Sequence, residues 1–134
     1  MARPVAKHRS PARSAEDRRA AERYGRVAEF WCRLALRLRG YRVLASRCRT
    51  PAGEIDIVAE RRGVLAIIEV KARATLDLAV LAVGGSQRRR LVRAAALFVA
   101  ARPRLAGHAI RYDLMHVRPR SWPRHLEDVW SAGP

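Results

Sequence analysis

Cysteine, acidic residues, lysine and long apolar runs are all scarce in this chain. Its two cysteines, Cys32 and Cys48, lack the paired spacing of a metal-binding motif, which argues against a zinc ribbon or finger. They read instead as reduced, buried thiols, and a cytoplasmic location is expected because disulfides are rare there. No apolar stretch approaches the roughly 20 residues that a membrane-spanning helix needs, so no membrane partner is expected. Acids number 12 against 28 basic residues, for a formal net charge of +16 and an isoelectric point near 11.7. Nearly all of the cations are arginine, and no internal repeat is visible.

A charge balance of this kind attracts polyanions, and the planar guanidinium fork matches phosphate better than a point charge does. Nucleic acid is therefore the expected partner, with DNA favoured over RNA. The 134 residues suffice for one domain with its own core, and 49% of them are hydrophobic. Residues 1–14, with two prolines and little to bury, read as a disordered basic arm, and 15–134 as a single domain.

A first helix is expected from Glu16 or Glu22 to Arg39, ending at Gly40, with Val27, Phe30, Trp31, Leu34 and Leu38 as its core stripe. On periodicity alone, Glu29 is an exposed helix glutamate at the edge of the opposite arc. Tyr41 to Cys48 reads as a strand, and Thr50-Pro51-Ala52-Gly53 as the turn into the next. Leu76 to Val83 is ambiguous between helix and loop. A second long helix is expected over Gln87–Arg102 with Ser86 as its cap, then a strand near Ile110–Val117 and a tail carrying Trp122 and Trp130. Arg88, Arg89, Arg90 and Arg93 crowd the start of that second helix, where the macrodipole disfavours cations. A bound phosphate would relieve that cost.

The most informative stretch runs from Gly53 to Lys71. Gly53-Glu54-Ile55-Asp56-Ile57-Val58-Ala59 and Val64-Leu65-Ala66-Ile67-Ile68-Glu69-Val70-Lys71 read as antiparallel strands about a turn at residues 61–63. The second is almost wholly apolar until its charged end, as expected of a strand covered on both faces. Glu69 and Lys71 share a face, roughly 6.6 Å apart along the strand. A two-residue turn places Asp56 opposite Glu69, and a four-residue turn keeps it diagonal. A three-residue turn sends it to the other face unless a bulge intervenes. Two of these registers bring two carboxylates and a lysine together. Such a pair repels unless a cation lies between its members, and hard oxygen ligands suit Mg²⁺ or Mn²⁺. A solvated Glu–Lys pair is the plainer account of the tripeptide. Asp56 and the strongly basic chain tip the balance toward a metal site.

Asp56 followed by Glu69-x-Lys71, with an upstream helix acid, resembles the PD-(D/E)XK nuclease superfamily. The ordered series Ala28-Glu29, Gly40-Tyr41-Arg42-Val43-Leu44, Arg49, Gly53-Glu54-Ile55-Asp56, Glu69-Val70-Lys71, Gln87, Arg111-Tyr112-Asp113 and Asp128-Val129-Trp130 resembles more closely the YraN-like family, described as similar to Holliday-junction resolvases. Arg47, Tyr112 and Gly84-Gly85 depart from its usual residues. The resemblance implies an α/β, restriction-endonuclease-like mixed sheet flanked by helices in the order α-β-β-β-α-β. It also implies metal-dependent DNA cleavage, with Asp56, Glu69, the Val70 carbonyl and Glu29 as metal ligands. Lys71 would face the scissile phosphate, Gln87 would stand beside the site, and Arg49 with the helix arginines would meet the nucleic acid. A homodimer would supply two sites for two strands. A non-catalytic nucleic-acid binder keeping the same fold is the alternative.

Overall fold

A computed structural model describes residues 14–131; the basic arm expected at the start of the chain lies outside them, save Ser14. Ser14 caps helix α1 (Ala15–Leu38): its hydroxyl accepts the Asp17 N–H at 3.1 Å, and the Asp17 carboxylate accepts the Ser14 N–H at 3.3 Å. This reciprocal box satisfies two orphan donors and sets the start of the helix. Gly40, at φ 85°, turns the chain beyond the helix end.

Strands β1 (Arg42–Thr50), β2 (Gly53–Arg61) and β3 (Val64–Ala72) form an antiparallel meander. Two helices follow, α2 (Leu76–Leu81) and α3 (Gly85–Ala100), and a single 3₁₀ turn at Pro103–Leu105. The chain returns as β4 (Ala109–Val117), parallel to β3, and closes with β5 (Arg124–Trp130), antiparallel to β4. The sheet order is β1-β2-β3-β4-β5. A parallel pair requires a crossover, which α2 and α3 provide.

The sheet separates two cores. One joins α2 and α3 to Val58, Leu65, Ile67, Tyr112, Leu114 and Trp130; the other joins α1 to Ile57, Ala59, Ala66, Ile68 and Met115. Side chains along β3 alternate between them, which is why the run reads as continuously apolar. Among the described residues no helix is long and apolar enough to cross a membrane.

The α/β mixed sheet is as expected, but three details differ. The tail carrying Trp122 and Trp130 holds a fifth strand, residues 124–130, beyond the four expected. Gly84, not Ser86, caps α3, and it offers no side-chain hydrogen bond. Of the expected core stripe of α1, Leu34 is half-buried and the rest faces outward: Val27 is 53% exposed, Phe30 51%, Trp31 44% and Leu38 71%. Ala28, Cys32, Ala35 and Leu36 are buried in its place. These residues share the helical period of the larger set but lie roughly a third of a turn round the helix. Small side chains let α1 lie close to the sheet.

Beneath β4 and β5 lies a buried polar network. Asp113 is fully buried and accepts from Arg111 Nε at 2.8 Å, His125 Nε2 at 2.8 Å and the Asp128 N–H at 2.9 Å. Burial opposes the Asp113 charge, but the Arg111, His125 and Asp128 hydrogen bonds hold its carboxyl below the ordinary range. Because Asp113 is an acceptor, His125 carries its proton on Nε2 and accepts from Arg39 at Nδ1, 3.2 Å away.

The two stripes of α1 generate a direct comparison. Leu36→Ala should cost about 2–5 kcal/mol in urea unfolding, while Leu38→Ala should stay within about 0.5 kcal/mol. Equal losses would contradict the placement of the helix.

Candidate metal and phosphodiester site

The hairpin between β2 and β3 determines what its side chains can meet. Arg61 pairs with Val64, so Arg62 and Gly63 alone form the turn, with φ of 51° and 75°. Positive φ at both central residues is the geometry of a type I′ hairpin. Of the three registers open from sequence, this is the two-residue one. Ile57 pairs with Ile68 as the last rung of this ladder, and Asp56 and Glu69 follow directly beyond it and line one cleft. Here the Val70 N–H donates to Asp56 Oδ2 at 2.9 Å.

Glu69 is buried, 5% exposed. Its Oε1 accepts from Gln87 Nε2 at 2.6 Å and lies 3.1 Å from Lys71 Nζ. Gln87 reaches it because α3 begins at Gly85 and crosses the end of the hairpin with its first turn. Gly53, Glu54, Asp56, Glu69, Gln87 and Arg90 line a cleft of about 240 Å³ here. Burial first, and then the Glu69 charge, push the Asp56 carboxyl up to about 7, with Glu69 also its hydrogen-bond partner. The Val70 N–H and Lys71 act in the opposite direction without cancelling the rise. The structure thus brings Asp56, Glu69, Lys71 and Gln87 together.

Glu29 stands apart from this group. Arg47 Nε, from β1, bonds its two oxygens at 2.8 and 2.9 Å, and Arg33 lies 4.0 Å away. Its side chain is only 14% exposed, so the exposed position expected from periodicity is corrected. The same shift of α1 that buries Cys32 turns Glu29 inward. Burial, followed by the charges of Glu29 and Asp56, pushes the Cys32 thiol up to about 12, which leaves it unreactive. Among the described residues no three His, Cys, Asp or Glu side chains converge on one point. Glu54 lines the rim of the cleft, exposed and 3.9 Å from Arg49, so the inner donor set is the carboxylates of Asp56 and Glu69, both hard oxygen ligands. That set fits a small divalent ion which keeps several of its waters.

The arginines divide. Arg88 turns inward, donating from Nε to the Val83 carbonyl at 2.9 Å, with its guanidinium 5.7 Å from the Trp130 ring. Arg89, Arg90 and Arg93 stay exposed, and Arg90 also borders the cleft. Arg49 is open to solvent, 3.9 Å from Glu54. Sequence reasoning missed the grip of Arg47 on Glu29. The sole signal was an arginine where the resemblance leads one to expect a smaller polar residue.

Fold and site together define a small, basic α/β protein with a carboxylate pair at a hairpin end. Residues 28–117 match the family model described as "Uncharacterised protein family UPF0102". A UPF0102 protein of Chelativorans sp. (strain BNC1) is 47% identical over 86% of this chain and 93% of its own length. One from Parvibaculum lavamentivorans is 50% identical over 83% of this chain and 84% of its own. A third, from Bradyrhizobium sp. (strain ORS 278), is 46% identical over 92% and 89%. The chain belongs to the UPF0102 family, the YraN-like group that its motifs resemble.

The raised Asp56 carboxyl makes stability depend on pH with a definite sign. Its folded value lies above the ordinary 3.8, so the native state binds the proton more tightly than the unfolded chain. That contribution is present below about pH 4 and is lost as pH rises to about 7. Asp56→Asn keeps an acceptor for Val70 and removes the charge. Without metal at pH 8, it should be more stable than wild type by on the order of 1–2 kcal/mol, with the gap closing toward pH 4. Parallel pH–stability curves for the two proteins would refute the assignment.

Proposed function

We propose that this protein is a metal-dependent endonuclease that hydrolyses phosphodiester bonds in DNA, with branched, Holliday-junction-like DNA the first substrate to test. The observation that carries the proposal is the meeting of Asp56, Glu69 and Lys71 at one strand end. Asp56 and Glu69, with the Val70 carbonyl, would hold Mg²⁺ or Mn²⁺. When bound, such an ion offsets phosphate charge and helps to generate hydroxide. Gln87 orients Glu69 through its 2.6 Å hydrogen bond. Lys71 brings a second positive charge to the phosphate and orients the attacking water. Glu29 joins the ligand set directly or through water only if Arg47 releases it. Arg49, Arg89, Arg90 and Arg93 supply exposed charge for the flanking phosphates, contacts that give affinity without sequence preference. Arg88, first counted with these, is committed to Val83. A homodimer would present two such sites to the two strands of a symmetric junction.

One observation favours a second reading. Only two carboxylates converge among the described residues, and Lys71 already pairs with one of them. A nucleic-acid binder that keeps the fold without cutting would tolerate that arrangement.

A panel of linear, nicked, forked and four-way DNAs with Mg²⁺ or Mn²⁺ separates the two. Wild type should cut at least one of them. Asp56→Ala and Lys71→Ala should each lower the rate by about 10²–10³ or more, with DNA affinity and circular dichroism close to wild type. Salt-dependent binding with no cleavage of any substrate would leave the binder.

A further inference from the structure

A groove at the end of the sheet, between α1 and the start of α2, lies outside the carboxylate site. Three adjoining cavities, of about 550, 310 and 480 Å³, share Arg118 and Ser121 and run from the end of β3 to the β4–β5 loop. The groove opens at Ala72 and Arg73, immediately after Lys71. Its walls combine two kinds of side chain. Tyr24, Trp31 and Trp122 supply aromatic surface, and Arg73, Arg118 and Arg120 supply charge. No acid lines any part of it, and none of these three arginines is paired with a carboxylate among the described residues.

The aromatic rings stand in solvent. Trp122 is 56% exposed and Trp31 44% exposed, and they meet edge to face at 6.0 Å. Phe30 extends the surface with its centroid 5.4 Å from Trp31 and is 51% exposed. Apolar surface grouped in this way marks a binding site. Uncompensated arginines around it select a polyanion that also carries flat apolar groups. A second copy of the chain fits poorly, because a two-fold contact would set these arginines against themselves.

We infer that this groove binds unpaired nucleotides of a single-stranded nucleic acid, with bases stacked on Trp31 and Trp122 and phosphates held by Arg73, Arg118 and Arg120. Stacking on aromatic platforms with charge alongside is how such strands are held without sequence preference. That this strand leads away from a scissile phosphate rests on the nuclease proposal; the binding itself does not.

The test is fluorescence anisotropy in EDTA, where cleavage cannot contribute. The probes are a labelled oligothymidylate of roughly 15 nucleotides, the matching oligouridylate, a duplex of equal length, and a base-free abasic strand. Trp31→Ala and Trp122→Ala should each weaken single-strand binding about tenfold, with duplex affinity within about twofold and Trp122→Phe near wild type. The abasic strand should not distinguish wild type from Trp122→Ala. A tighter oligothymidylate or oligouridylate would identify which strand the groove prefers, and either supports the inference. Both side chains are exposed, so the variants should keep their circular dichroism and melting temperature. Single-strand affinity unchanged in both alanine variants would overturn the inference, as would a loss of equal size on the duplex or the abasic strand. So would sedimentation showing a dimer that dissociates in Trp122→Ala, or Trp122-dependent capture by anionic vesicles. Because no metal is present, these outcomes leave the carboxylate site to its own cleavage panel.

Discussion

Two carboxylates on neighbouring strands, one buried and one partly so, repel each other, and much of the surrounding geometry manages that repulsion. The two-residue turn at Arg62-Gly63 sets a register that carries Asp56 and Glu69 to the same end of the hairpin. The protein answers with the Val70 N–H, the Gln87 amide and the Lys71 ammonium. These do not suffice, since the Asp56 carboxyl still rises to about 7. A proton or a cation completes the compensation. A site that holds its proton near neutrality can exchange it for a divalent ion at physiological pH.

The wider charge distribution serves the same end. Acids are few, and most are held in defined partnerships. Glu60 sits among Arg42, Arg104 and His108, Glu29 is gripped by Arg47, and Asp113 is enclosed by Arg111 and His125. Among the described residues, arginines without a carboxylate stand near the start of α3 and around the groove at the ends of β3 and β4, and also along α1 at Arg19, Arg23, Arg26 and Arg37 and at the Arg62 turn. Ion pairs tie β1, β2 and β4 to their neighbours, and uncompensated guanidinium groups flank the cleft and the aromatic groove. A polyanion lying along this surface would meet attraction at both places, and the field would speed its encounter.

Much of this was legible in the residues, for identifiable reasons. The apolar run of β3 and its terminal Glu69 and Lys71 are visible because a strand buried on both faces permits no charge until it ends. The hairpin could be narrowed to three registers, and Gly63 at positive φ selects among them only once the backbone is known. Helix α1 misled because two stripes share one period. The larger side chains of Phe30 and Trp31 suggested core, whereas the sheet receives Ala28, Cys32, Ala35 and Leu36. Strand β5 stayed hidden because its alternation is mostly polar. His125 turns to Asp113 and Glu127 to Tyr41, so the strand is tied by a network that no periodicity records. The Ser14–Asp17 box is a start signal present in the residues themselves, and it begins the helix one residue ahead of Glu16.

The central claim is that Asp56 and Glu69 form one divalent-cation site. Titration with Mn²⁺ followed by electron paramagnetic resonance tests it without depending on any substrate. One ion should bind per chain at pH 8, with affinity falling as pH drops below 7. Glu69→Gln should abolish that binding while melting temperature is retained. Mn²⁺ uptake unchanged in Glu69→Gln, or absent from the wild-type protein, would contradict the account.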